Sequence, residues 1–128
     1  MMLASPGAVT LVTLLRDSGR GPRREGLFAL WLTLRVAEDL AEGTLAERTH
    51  RRRVTALERR LSSLALPPPL RRGLQAALAE LKGGAPDGAA LALLHLVAPA
   101  RDGVGADAAE ALGKAARRVA ATLQQRYR

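Results

Sequence analysis

The chain has 128 residues, of which 48% are hydrophobic and 25% charged, and its formal net charge is +8. This length is typical of one domain, and this composition is ordinary for a folded protein, so both argue against a disordered chain. The sequence contains no cysteine, which excludes disulfides, thiolate metal sites and cysteine nucleophiles.

The apolar residues of the chain indicate helices rather than strands. Most of them are alanine, leucine and valine, and only 2% of the residues are aromatic. Alanine and leucine favour helices, whereas sheets favour aromatic and β-branched residues. We therefore expect residues 1–128 to form one compact all-α domain, a bundle of about five to six helices.

Prolines, glycines and capping residues divide the chain into six predicted helices. In chain order these run over about 6–17, 22–43 and 44–64, from the proline run 67–69 to Gly83, over 89–98, and from Asp107 onward. Residues 8–15 also carry the alternation of a strand, and that alternative stays open.

The second and third helices carry the most specific local signals. Within residues 27–37 only two side chains are polar, so the second helix is predicted to lie at the centre of the fold. Thr44 and Glu47 have the spacing of a capping box, in which each side chain bonds the free backbone N–H of the other residue.

Positive charge is concentrated in residues 48–72. This stretch has a net charge of +7, whereas residues 1–47 carry −1 and residues 73–128 carry +2. Its basic residues are Arg48, Arg51, Arg52, Arg53, Arg59, Arg60, Arg71 and Arg72, and its one acid is Glu58. Such a distribution predicts a surface that attracts anions. A GC-rich coding sequence also enriches a protein in arginine. The prediction therefore rests on where these arginines lie in the sequence and not on their number.

Helical geometry places part of this charge on one side of the third helix. At about 100° per residue, Arg48, Arg52 and Arg59 lie together, opposite an apolar seam. A guanidinium group binds two oxygens of a phosphate or carboxylate at once. We therefore predict that the eight arginines contact an anionic partner. The alternative is a solvated face, paired with the acids of residues 38–42.

The sequence shows no catalytic or metal-binding pattern. Glu47 and His50 match the Glu-x-x-His spacing of carboxylate-bridged iron sites, but the second pair that such sites need is missing. We interpret His50 as a seam residue and His95 as a core histidine bonded to a carbonyl. Residues 39–52 resemble a helix-turn-helix only in composition, because the register of the glycine or of Arg52 does not fit. We predict no enzyme activity, no cofactor and no metal.

These observations predict a non-enzymatic helical binding protein that uses residues 48–72 to contact nucleic acid or an acidic protein surface. The alternative is a helical scaffold or accessory subunit that binds another protein through apolar helix faces, without nucleic-acid contact. No apolar run approaches the ~20 residues that span a bilayer, and residues 8–15 lack the features of a signal peptide. We expect a cytoplasmic protein, whose oligomeric state the sequence leaves open.

Overall fold

The computed structural model describes residues 5–126. Within this range the chain forms six α-helices and no strand: α1 (Pro6–Asp17), α2 (Pro22–Glu42), α3 (Glu47–Leu61), α4 (Pro68–Lys82), α5 (Asp87–Val104) and α6 (Ala106–Arg126). The prediction of an all-α bundle is confirmed, and residues 8–15 are helical.

Helix α1 begins where the sequence predicts. The Oγ atom of Ser5 accepts a hydrogen bond from the N–H of Ala8 at 3.1 Å and so caps the helix. The β-branched residues that suggested a strand are accommodated within the helix. The hydroxyls of Thr10 and Thr13 each donate to the carbonyl four residues earlier, at 3.0 Å.

Helix α2 is the central element of the bundle, as predicted, because it contacts each of the other five helices. These five surround it in the order α3, α4, α5, α6, α1, each in contact with the next. The helices at the two ends of this order, α1 and α3, do not contact each other, so one side of α2 stays open. Phe28 and Trp31 are only partly buried there, and Arg35 is exposed.

The core is made mainly of leucine and alanine. The buried side of α6 carries five alanines, Ala108, Ala109, Ala111, Ala115 and Ala116. Small side chains let a neighbouring helix approach closely, since the distance between packed helices depends on the side chains at the contact. Helix α6 uses this side to pack against α5, α2 and α1.

The start of α3 differs from the prediction. Ala46 occupies the N-cap position, and no side chain there caps the helix. The hydroxyl of Thr44 instead donates to the carbonyl of Asp39 at 3.4 Å, and Glu47 forms an ion pair with the next turn of α3. Gly43 causes this difference, because its left-handed conformation (φ +67°) turns the chain back over the end of α2. The predicted capping box is therefore wrong.

The end of α3 also comes earlier than predicted, at Leu61 rather than near Leu64. The hydroxyls of Ser62 and Ser63 each donate to the carbonyl three residues earlier, at 2.6 and 2.8 Å. These hydroxyls add a second hydrogen bond to carbonyls that also accept from the backbone N–H groups of Ser62 and Ser63, at 3.3 and 3.1 Å. The turn that follows leads into the proline run before α4.

Helix α5 extends further than predicted, so Pro99 lies inside the helix and does not end it. Proline has no N–H, and the carbonyl of His95 therefore lacks its usual helical partner. The proline ring is accommodated because α4 presents Gly73 to it: a Cβ atom at Gly73 would lie 2.8 Å from Pro99 Cγ. The helix ends only at Gly105, whose φ of +117° favours glycine.

Glu38 on α2 links stability to pH. Burial raises its pKa above the ordinary value of 4.5, against the opposing effects of a hydrogen bond with Ser5 and the charge of Arg118. At a pH between the ordinary pKa and the raised native pKa, the native state retains a proton that the unfolded chain has lost. Stability therefore falls as the pH rises through this range.

We expect Glu38→Gln to raise the free energy of unfolding at neutral pH. In urea unfolding across the acidic range, the gain should vanish where Glu38 is protonated in both states; a gain of constant size at every pH would contradict this account.

Candidate anion-binding surface

The outer face of α3 carries a line of exposed guanidinium groups, the outer row, formed by Arg48, Arg52 and Arg59. At about 1.5 Å per residue the row is about 16 Å long. The outer row and the smaller side chains of Thr55 and Ala56 line a shallow depression on the surface. The depression can therefore receive an elongated anionic group.

Helix α3 presents the outer row to solvent because its opposite face is buried. Val54, Leu57 and Leu61 are at most 5% exposed and pack into the core. His50 is also buried, and its Nε2 donates to the carbonyl of Leu81 on α4 at 2.7 Å. The predicted seam is confirmed for His50, Val54, Leu57 and Leu61, whereas Leu64, its last predicted member, lies beyond the end of α3 and is only half-buried.

No partner within residues 5–126 neutralises the outer row. None of its three guanidinium groups makes a hydrogen bond or ion pair within that range. Of the two acids of α3, Glu47 lines the same depression but pairs with Arg51 at 2.6 Å, and Glu58 pairs with Lys82 of α4 at 3.1 Å. The charge of the outer row is thus available to an external anion. Arg51 also lines the depression, but its exposed ion pair is weak in water.

Two further arginines of α3 turn toward α2. Arg53 pairs with Asp39 at 2.5 Å, and the Asp39 side chain is only 15% exposed. The guanidinium of Arg60 lies 5.0 Å from the ring centre of Phe28, in a cation–π contact. Both contacts hold α3 against α2, so Arg53 and Arg60 have a packing role. The pairing with residues 38–42 that the sequence offered as an alternative is therefore present at Arg53.

Arg71 and Arg72 are adjacent in α4 but have different environments. Arg71 is partly buried and donates to the carbonyls of Leu61 and Leu64, at 2.9 and 2.7 Å. It thereby binds the last carbonyl of α3 and a carbonyl of the turn that follows, and so caps the C-terminal end of this helix. Arg72 is exposed, but it does not line the depression on α3. Of the eight arginines, the structure brings together only the outer row and Arg51.

The open side of α2 carries a second cationic feature, which sequence reasoning misses. The rings of Phe28 and Trp31 lie 6.3 Å apart, and the guanidinium of Arg35 lies 5.8 Å from the Trp31 ring centre. With Arg60 on Phe28 these groups form a row from α3 across α2. The spacing of residues 28, 31 and 35 is the signal for a shared face. Because residues 27–37 are mostly apolar, their sequence predicts burial on all sides and does not indicate that this face is left uncovered.

The structure separates the two histidines. His50 is buried as predicted, but His95 is exposed. The prediction of a core histidine at 95 is wrong because the buried stripe of α5 runs through Ala92, Leu93 and Leu96, and His95 lies beside it. Residues 5–126 contain no group of three or more histidines and acids that could hold a metal ion.

Comparisons with protein-family models, with characterised proteins and with solved structures find no match to this chain. In the part of the chain that the structure describes, no helix combines the length and apolar character needed to cross a membrane.

Proposed function

We propose that this protein is a non-enzymatic binding protein that contacts an anionic macromolecule, a nucleic acid, through the outer row of α3. The observation that carries this proposal is the outer row itself: three exposed guanidinium groups on one helix, with no hydrogen-bond or ion-pair partner in residues 5–126. Guanidinium groups bind phosphate through two parallel N–H···O bonds, which gives geometric fit as well as charge.

A phosphate backbone suits the outer row because it offers a regular line of negative charges. Each strand of duplex DNA carries a charge every ~3.4 Å along the helix axis, so a row of about 16 Å can meet several phosphates. No aromatic side chain lines the depression, which therefore supplies no platform for base stacking. Contacts of this kind position a protein without reading bases, so we expect binding that is independent of sequence.

Fluorescence anisotropy with short labelled DNA duplexes tests the proposal. At low salt we expect binding, with similar affinity for two duplexes of unrelated sequence. Polyglutamate, which offers carboxylates without phosphates, serves as the competitor. Weak competition by polyglutamate supports a nucleic-acid partner, whereas competition equal to that of unlabelled duplex points to an acidic protein surface. Failure to bind either polyanion at low salt would contradict the proposal.

The scaffold alternative is favoured by one observation on a different helix. Leu91 and Leu94 on α5 are 42% and 55% exposed, and such side chains support contacts that keep their strength at high salt. Contacts between phosphates and arginines weaken steeply with salt. The dependence of binding affinity on salt concentration therefore distinguishes binding through arginines from binding through apolar side chains.

A further inference from the structure

We infer that the exposed face of α5 is a self-association surface, on which the α5 of a second copy of this chain packs antiparallel. Leu91 and Leu94 are two of the three large hydrophobic residues that are well exposed in residues 5–126, and they lie one helical turn apart. A single exposed leucine is ordinary, but these two are adjacent and form one apolar patch on α5. Helices α5 and α3 do not contact each other, so this inference goes beyond the proposed function.

The exposed residues of α5 follow the spacing of a coiled-coil seam. Intervals of four and three residues alternate between successive members of this seam, and all members are exposed: Asp87, Leu91, Leu94, Ala98 and Arg101. Such spacing keeps side chains on one stripe of a helix and suits a second helix. The stripe is apolar in the middle, acidic at its N-terminal end and basic at its C-terminal end.

In an antiparallel dimer, a two-fold axis at Leu94 places each charged end of the seam opposite the oppositely charged end of the partner helix. Asp87 and Arg101 are each seven residues from Leu94, or about 10.5 Å along the helix. An antiparallel copy therefore brings Asp87 level with the partner's Arg101, twice across the axis. Leu91, three residues from the axis, then lies within about 1.5 Å of the level of the partner's Ala98, four residues from it. This sets a large side chain beside a small one, which favours close packing. A parallel copy would place like charges opposite each other, which costs affinity.

The two charged ends of the seam are available for such contacts. Within residues 5–126, neither the carboxylate of Asp87 nor the guanidinium of Arg101 makes a hydrogen bond or ion pair. Both are exposed on the same stripe as the leucines. An intermolecular pair would thus form without breaking an intramolecular one.

The helices on either side of α5 leave room for a second helix. On α4, the exposed Ala76 lies between Gly73 and Glu80, which both adjoin α5: a Cβ atom at Gly73 would lie 2.8 Å from Pro99 Cγ, and one at Gly88 would lie 3.1 Å from the carbonyl oxygen of Glu80. On the other side, Ala90 and Ala120 line a groove between α5 and α6. Small side chains at both flanks let the second copy approach closely.

Sedimentation velocity over a range of protein concentrations tests the inference. We expect a reversible dimer whose fraction rises with concentration. Leu94→Asp should leave only monomer, with an unchanged circular dichroism spectrum. Val9→Asp is the matched control, because Val9 is a 52% exposed hydrophobic residue on α1 and should leave the dimer intact. A parent protein that stays monomeric at all concentrations would overturn the inference.

Charge reversal tests the antiparallel arrangement specifically. Asp87→Arg and Arg101→Asp each place like charges opposite one another across the axis. Each is therefore expected to raise the dimer dissociation constant by about tenfold or more. An equimolar mixture of the two variants restores opposite charges at both contacts, so a heterodimer as stable as the parent dimer should form. A mixture that associates no better than either variant alone would contradict the arrangement. Nucleic acid is absent from both experiments, so their outcome is independent of the proposed function.

Discussion

Replacing Arg48, Arg52 and Arg59 together with glutamine is expected to lower the affinity for a DNA duplex by about two orders of magnitude at ~50 mM salt. Each neutralised phosphate releases about 0.9 of a counterion, and this gain in entropy is lost with the charge. The three side chains are exposed, with no partner in residues 5–126. Their loss should therefore change the free energy of unfolding by no more than about 0.5 kcal/mol.

A second triple variant separates the position of the charge from its amount. Arg16, Arg20 and Arg117 are exposed and lie outside the depression, and their replacement by glutamine removes the same total charge. This control should bind the duplex nearly as well as the parent. Equal losses of affinity in the two triple variants would show that net charge alone drives binding and that the outer row is not the site.

The variant Arg71→Ala is expected to lower the free energy of unfolding by about 2–3 kcal/mol, because hydrogen bonds that involve a charged group contribute about 1.5–3 kcal/mol. Arg71 donates to the carbonyl of Leu61, the last residue of α3, and to that of Leu64 in the turn that follows, and the Leu64 carbonyl accepts from no other group in residues 5–126. A positive charge at a helix C-terminus also complements the helix dipole. Urea unfolding of the variant measures the loss.

Arg72, the residue next to Arg71 in the sequence, supplies the matched control for Arg71→Ala. Arg72 is exposed and lacks a hydrogen-bond or ion-pair partner in the described part of the chain, so Arg72→Ala should change the free energy of unfolding by no more than about 0.5 kcal/mol. Arg71→Lys should recover only part of the loss, since an ammonium lacks the planar fork that reaches both carbonyls. Similar values for Arg71→Ala and Arg72→Ala would contradict the capping role.

The features that were correctly predicted depend on residues close together in sequence. Ser5 caps the turn that it begins, and Gly43 ends α2 in a left-handed conformation. The outer row follows from helical spacing alone, because Arg48, Arg52 and Arg59 share a face whatever α3 packs against.

The features that were missed depend on contacts between distant segments. Pro99 continues α5 only because Gly73 of another helix leaves space for its ring. Arg71 acts as a cap only because the end of α3 lies beside it. Thr44 has the spacing of a capping box, but the turn at Gly43 directs its hydroxyl to α2. Spacing in sequence does not determine which of two possible partners a side chain reaches.

The most direct test of the central claim is the dependence of the duplex association constant on salt for the parent protein. With three phosphate contacts, log K should fall with log salt at a slope of about −2.7, because each contact releases about 0.9 of a counterion. That slope corresponds to about a fortyfold loss of affinity between ~50 and ~200 mM salt. A slope near zero would contradict the claim that the outer row binds phosphates. A slope near −7, which would require all eight arginines to contact phosphates, would contradict the packing roles assigned to Arg53, Arg60 and Arg71.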